Sequence, residues 1–148
     1  MPFQFSLQAI LHLRQSIERQ QELRLRGANQ QVAKVRRLIE LADDRIRREQ
    51  NICADALSAG TTSAELRLST AAQDLLRAQR QRIETELKRL QTLRDQQQRV
   101  FHQARRERET IESLRDRQLM EYKRNTSRRE QRRADDLFLL RQSYLRRG

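Results

Sequence analysis

The stretch that decides the fold is residues 83–122, IETELKRLQTLRDQQQRVFHQARRERETIESLRDRQLMEY, in which apolar side chains recur every three or four positions. The apolar residues on that spacing are Ile83, Leu87, Leu90, Phe101, Ala104, Ile111 and Tyr122. An average spacing of about 3.5 residues places a narrow apolar stripe, here called the seam, on one side of a helix and keeps it facing a supercoiled partner helix. The stretch therefore predicts one strand of a coiled coil.

Polar residues interrupt this seam. They are Arg94, Gln97, Arg108 and Gln118, and Leu93 and Leu114 each stand one place before an arginine of the series. A polar side chain at a seam position lowers stability but specifies the register or the partner of the helix. We therefore expect a helix that is only modestly held.

The composition favours an extended all-α chain over a globular core. Among 148 residues, 35% are charged and 4% are aromatic, and there are only 3 glycines and 1 proline. Such a chain has many helix formers, little turn chemistry and few large side chains for a core. Disorder is the alternative for so polar a chain, and the sustained apolar period argues against it.

A second seam precedes the first, and a turn separates them. Its members are Leu7, Ile10, Leu11, Ile17, Ala28, Val32, Val35, Ile39, Ala42, Ile46, Cys53 and Ala56. At the break, Gly60 can adopt the left-handed conformation that ends a helix, and Thr62 with Glu65 forms a capping box that starts the next one. Two long helices joined by a short turn predict a single antiparallel coiled-coil hairpin over residues 1–148, with helix 1 at about 4–58, the turn at 58–63 and helix 2 at about 63–143.

The second helix is predicted to be longer than the first and to overhang it. With the turn centred near Gly60, residue 3 would lie opposite residue 117, so residues beyond about Leu119 would have no partner within the chain. Residues 123–133 contain no apolar side chain, and four apolar residues then follow in succession at 137–140. An exposed apolar cluster of this kind usually marks a docking site. The alternatives are self-association, or folding back of the cluster onto Phe3, Phe5 and Leu7.

The net charge of +12 lies mostly in the second half of the chain. Residues 1–74 contain 11 Lys and Arg against 9 Asp and Glu, whereas residues 75–148 contain 21 against 11. Such a charge favours an anionic partner. A basic coiled coil that binds nucleic acid is one alternative function, but acidic residues are interleaved and few aromatic residues could stack on bases. We expect no nucleic-acid partner.

No catalytic or metal-binding motif is evident. His12 and His102 have no cysteine ligands beside them, and the sequence has no phosphate-binding loop, nucleophile elbow or zinc-protease motif. The doublet Asp43 and Asp44 is interpreted as a solvated face, in which each carboxylate pairs with an arginine four residues later. The chain is therefore predicted not to be an enzyme and to bind no cofactor or metal.

The location is predicted from three further observations. The single Cys53 fits a reducing compartment, since it cannot form an internal disulfide. The N-terminus lacks the basic and apolar regions of a signal peptide, and no window approaches the roughly 20 apolar residues of a membrane span. We expect a cytoplasmic protein, peripheral at the cytoplasmic side of the cell membrane.

Two segments resemble a known family. One comprises residues 104–109 and 112–118, Tyr122 and the run from 128 to 139, RREQRRADDLFL, with its Arg-Glu-Gln step and acidic pair. The other is the opening FQFSLQAIL at residues 3–11. Together with the length and the two-helix plan, they resemble the FliJ family of bacterial flagellar export proteins.

The resemblance implies a stalk-like hairpin in the flagellar type III export apparatus, with the export ATPase ring, the cytoplasmic domain of the export gate and export chaperones as partners. Together with the apolar cluster, it predicts ATPase contacts at Tyr122, Arg128, Arg129, Glu130, Gln131, Asp135, Asp136, Leu137, Phe138 and Leu140. For the export gate, the aliphatic residues Ile46, Ile52 and Leu76 occupy the region where some members carry aromatic residues. A YscO-type stalk of a virulence secretion system is an alternative with the same fold, and a self-assembling scaffold is another. We expect a monomer when the chain is alone.

Overall fold

In the computed structural model, which describes residues 2–148, the chain is all-α and its two helices pack against each other. Helix α1 spans Gln8–Ala59 and helix α2 spans Ser63–Arg147. Helix α1 thus begins about four residues later than the periodicity suggested, and α2 ends about four residues later. Over the described residues, neither helix contains an apolar stretch long enough to cross a bilayer.

The turn between the helices has the predicted local chemistry. Gly60 has a φ of 87°, in the left-handed region that favours glycine. The Glu65 main-chain N–H donates to the Thr62 hydroxyl at 3.3 Å, and the Thr62 main-chain N–H donates to the Glu65 carboxylate at 3.3 Å. These reciprocal bonds satisfy donors that the first turn of a helix otherwise leaves unpaired, which confirms the predicted capping box.

The chain divides into two compact units. The terminal unit consists of the residues up to Glu18 together with Gln103–Gly148, and the turn unit consists of Arg19–His102. Each unit contains part of α1 and part of α2, and each is described separately below.

In the turn unit, the two helix segments run antiparallel. Arg80 on α2 donates to the Asp43 carboxylate at 2.5 Å, and Gln97 donates to the Gln21 side-chain oxygen at 2.7 Å. Residue numbers therefore rise along α2 as those of their partners on α1 fall. The bond to Arg80 also corrects the interpretation of Asp43 as part of a solvated face, since only its neighbour Asp44 pairs within its own helix, with Arg47 at 2.9 Å.

In the terminal unit the two segments also run antiparallel, since Phe3 contacts Tyr122 and Glu18, further along the chain, pairs with the earlier Arg108. Leu11 is fully buried and Ala104 is 6% exposed. Arg14 pairs with Glu107, and Arg108 pairs with Glu18 at 2.6 Å. These ion pairs fix the register between the start of α1 and the middle of α2.

The seam predicted for α2 is confirmed at every position. The twelve positions of the series, 83, 87, 90, 94, 97, 101, 104, 108, 111, 115, 118 and 122, are all buried or half-buried. Leu93 and Leu114, one place before Arg94 and Arg115, are instead exposed. The helical period therefore decides which side chains face the partner helix, even where the adjacent residue is more apolar.

Candidate functional site

The paired part of the terminal unit ends at an aromatic contact. The Phe3 and Tyr122 rings lie 5.6 Å apart between centroids, with an interplanar angle of 50°. The expectation that residue 3 lies opposite residue 117 is therefore wrong by about five residues. Part of the shift comes from the turn, which lies between Ala59 and Ser63 and is therefore centred near residue 61 rather than Gly60. Residues 2–5 also precede α1 in non-helical conformation, so the helical rise of about 1.5 Å per residue does not apply to them.

The burial of α2 ends four residues beyond this contact. Thr126 is the last half-buried residue, and every residue from 127 to 148 is exposed. We call residues 127–147 the overhang. At 1.5 Å per residue it is about 31 Å long. The overhang thus begins about seven residues later than predicted, because Tyr122 and Thr126 belong to the paired part.

The apolar cluster lies within the overhang and is open to solvent. Leu137 and Leu140 are 67% and 60% exposed, and the two residues between them are exposed to a similar degree. Tyr144 and Leu145 follow on the same helix and are more exposed still. The alternative that the cluster folds back onto the N-terminal residues is therefore wrong, since Phe3 contacts Tyr122 instead.

The apolar stripe of the overhang has its own register. Continuing the seam series beyond Tyr122 leads to Asn125, Arg129, Arg132, Asp136, Leu139, Ser143 and Arg146, of which only one is apolar. Leu137, Leu140 and Tyr144 stand one place after that series and keep the same three-four spacing. We call these three residues the overhang seam, and all three side chains are exposed.

Arginine has two different environments in the terminal unit. Arg108, in the seam, donates to Glu18 at 2.6 Å and also to Glu112. The hydrogen bond with Glu18, assisted by Glu112, raises the pKa of Arg108 above its ordinary value. By contrast, among the described residues, the arginines of 128–133 make no ion pair.

The residues predicted to bind the ATPase fall into two groups. Tyr122 is half-buried against Phe3 and helps to end the paired part. The other nine lie together in the overhang and are exposed, namely Arg128, Arg129, Glu130, Gln131, Asp135, Asp136, Leu137, Phe138 and Leu140. The overhang therefore offers a basic segment followed by an apolar one, both available to a partner.

A second candidate surface is a groove of about 400 Å³ in the turn unit. It is lined by Leu38, Leu41, Ala42, Arg45, Arg48, Leu76, Gln79 and Ile83. Leu38 and Leu41 are about half exposed, so the groove has an apolar wall that solvent reaches.

The residues predicted to contact the export gate are not brought together. Leu76 lines the groove, whereas Ile46 is half-buried and Ile52 is exposed, and neither lines it. Sequence reasoning missed Leu38 and Leu41. Their signal was available, because both are leucines that stand off the three-four series of α1 and so have no role in the seam.

The described residues contain no group of three His, Cys, Asp or Glu side chains that could hold a metal ion. The candidate surfaces offer apolar contact and charge, which is the chemistry of protein docking.

The sequence was compared with known proteins. The family model described as "Flagellar FliJ protein" matches residues 3–148. No curated protein and no solved structure matched the chain.

Proposed function

Because the chain belongs to the FliJ family and is thereby a flagellar export-related protein, we propose that its overhang docks into the ring of the export ATPase. The proposal rests on the exposure of every residue from 127 to 148, which leaves the overhang seam without a partner in the described structure. A helix with three-four apolar spacing gains most of its stability by burying that stripe against another surface.

The arginines of the overhang supply the second part of the proposed interaction. Residues 127–147 contain seven arginines against three acidic residues, and the described structure shows none of these arginines in an ion pair. A basic helix approaching a surface that bears carboxylates is steered by long-range attraction, and buried apolar side chains then hold it. Leu137, Phe138 and Leu140 are the proposed anchors.

The groove of the turn unit is the proposed contact for the cytoplasmic domain of the export gate. Leu38, Leu41 and Leu76 supply an apolar wall, and Arg45 and Arg48 supply charge. The proposed gate contact thus uses Leu38 and Leu41 in place of Ile46 and Ile52, because Leu38 and Leu41 line the same accessible surface as Leu76. With two partners held in this way, the protein assists the handling of chaperones and export substrates at the cytoplasmic side of the membrane, without catalysing a reaction itself.

The test is a chain that ends after Thr126, compared with the full chain. We expect the shortened chain to lose measurable binding to purified export ATPase and to keep a melting temperature close to that of the full chain, because every residue from 127 to 148 is exposed. The matched control is Leu38→Ser with Leu41→Ser, which alters the groove and should bind the ATPase normally. Unchanged binding by the shortened chain would refute the proposal.

A further inference from the structure

Near the turn, helix α2 carries an apolar series that does not belong to its seam. The members stand four, three, four and three residues apart, namely Ala64, Leu68, Ala71, Leu75 and Ala78. We call these five residues the outer stripe. All five are exposed, and for Leu68 and Leu75 the exposed fractions are 72% and 62%. The outer stripe therefore has the spacing of a helix that packs along a partner helix, without the burial.

The outer stripe lies on the side of α2 that points away from α1. In the same stretch the seam consists of residues 69, 73, 76 and 80, all of them half-buried. Ala71 stands two places before Gln73 and five before Leu76, which turns it by about 140–200° from these two seam residues. Neither Leu68 nor Leu75 lines the groove of the turn unit. Helix α1 thus leaves the outer stripe open to a partner outside the chain.

Alanine and leucine alternate along the outer stripe, which suits a partner with the same alternation. The distance between packed helices depends on the side chains at the contact, and alanines at heptad spacing permit a close approach. When Ala71 lies opposite Ala71 of a second, antiparallel copy, Ala64 lies opposite Ala78 of that copy. Leu68 then lies beside Leu75 of the second copy. The surface thus matches itself about a two-fold axis, the commonest symmetry of soluble oligomers.

The charges along the outer stripe match the same arrangement. Arg67 and Asp74 each stand one place before a leucine of the stripe, so they border it along one edge. In the antiparallel pair this edge meets its own copy, which brings Arg67 beside Asp74 of the second copy, and Asp74 beside its Arg67. A parallel pair would instead bring Arg67 beside Arg67. In the described structure Arg67 makes no ion pair, and Asp74 makes one, to Arg77 at 3.7 Å.

We infer that the outer stripe is a docking surface for a second copy of this chain, in which two α2 helices pair antiparallel about Ala71. The segment from Ala64 to Ala78 is about 21 Å long. A contact between two such segments lies below the roughly 1,200–2,000 Å² that stable interfaces bury. The pair therefore forms with a dissociation constant on the order of 100 µM, and the chain is a monomer when dilute. This inference is independent of the proposed function, since it uses no residue of the overhang.

Sedimentation equilibrium of the full chain, under reducing conditions and from about 10 to about 500 µM, brackets that dissociation constant. We expect the average mass to rise from monomer toward dimer over this range. Arg67→Asp and Asp74→Arg should each weaken the association by about ten-fold or more, because each places two pairs of like charges across the contact. The chain with both substitutions restores opposite charges and should associate within about three-fold of the wild type. Since the single substitutions change the net charge in opposite directions, a general charge effect would strengthen one and weaken the other.

The apolar part of the surface is tested by Leu68→Gln with Leu75→Gln, which should abolish association over the same range. The matched control is Leu38→Ser with Leu41→Ser, two exposed leucines of the same unit, which should leave the association unchanged. The melting temperature of every variant should stay close to that of the wild type, because all the altered side chains are exposed.

A wild-type chain that remains monomeric throughout the range overturns the inference. Association that survives Leu68→Gln with Leu75→Gln also overturns it, since another surface must then pair. The same holds if the double charge exchange fails to restore association, because the helices then do not run antiparallel about Ala71. In each case the proposed function stands, since binding of the overhang to the ATPase is measured separately.

Discussion

Two neighbouring parts of α2 contain the same number of basic residues but use them differently. Residues 103–126 and residues 127–147 each contain seven Lys and Arg. In the first part, Arg108 lies in the seam between Glu18 and Glu112, and Arg105 pairs with Glu109. In the second part, the described structure shows no ion pair. The arginines of the first part have carboxylates within reach, from Glu18 of α1 or from acids four residues further along α2, whereas the arginines of the second part have none in the described structure.

The largest expected effect separates binding from stability. Replacing Leu137 and Phe138 by alanine should weaken binding to the export ATPase at least 100-fold, because burying two large apolar side chains contributes about 1.5–3 kcal/mol each. The melting temperature should stay within about 2 °C of the wild type, since both side chains are exposed in the free chain. Calorimetric titration and thermal unfolding measure the two quantities. A lowered melting temperature would show that the cluster packs within the chain.

The second prediction compares the replacement of an arginine by alanine in residues 103–126 with the same replacement in the overhang. Arg108→Ala should lower the free energy of unfolding by about 2 kcal/mol, because it leaves the half-buried carboxylates of Glu18 and Glu112 without their charged hydrogen bonds. Arg128→Ala, in the overhang, should change it by less than about 0.5 kcal/mol. Urea denaturation of both variants measures the difference. Equal losses would contradict the distinction between the two parts.

A smaller effect is expected where the seam contains amides. Gln97 donates to the side-chain and main-chain oxygens of Gln21, at 2.7 and 3.3 Å. Replacing both glutamines by leucine should raise the free energy of unfolding by about 1 kcal/mol, since apolar contact replaces a polar layer. Replacing Gln97 alone should gain less, because the Gln21 amide then loses its partner. A double variant less stable than the wild type would mean that this layer holds the helices together rather than specifying their register.

The smallest effect concerns the turn, far in sequence from the overhang. The Thr61 hydroxyl, and then the Thr62 main-chain N–H, lower the pKa of Glu65 by hydrogen bonding. The stabilisation from this depressed pKa is present above the ordinary glutamate pKa and is lost as the pH falls through the lowered value. Chemical shifts of residues 63–66 should therefore lose helical character on acidification, and Glu65→Gln should abolish the response. A titration midpoint at or above the ordinary glutamate value would contradict this assignment.

The sequence predicted the features that depend on local spacing. The three-four series located the seam of α2 at every position from Ile83 to Tyr122, because a helix repeats at nearly that period. The capping box at Thr62 and Glu65 was predictable for the same reason, since its partners are three residues apart.

Pairing between the helices was harder to predict. The bonds from Arg108 to Glu18 and from Arg80 to Asp43 join residues 90 and 37 positions apart. A three-four pattern is unchanged when one helix slides by a heptad, so the pattern identifies the facing side but not the register. The non-helical residues before α1 and the exact centre of the turn added a further error, so that residue 3 was placed opposite residue 117, whereas it contacts Tyr122. The off-seam positions of Leu38 and Leu41 were visible in the sequence, but the groove itself was not. It forms only where Leu76 and Ile83 of the other helix complete its lining.

The central claim is that the overhang lacks a partner within the chain and acquires one outside it. Amide hydrogen exchange, measured on the full chain alone and in the presence of the export ATPase, tests it directly. We expect residues 103–122 to be protected in both samples, and residues 127–147 to exchange rapidly alone and slowly in the complex. Strong protection of residues 127–147 in the free chain, or equally rapid exchange in both samples, would contradict the account.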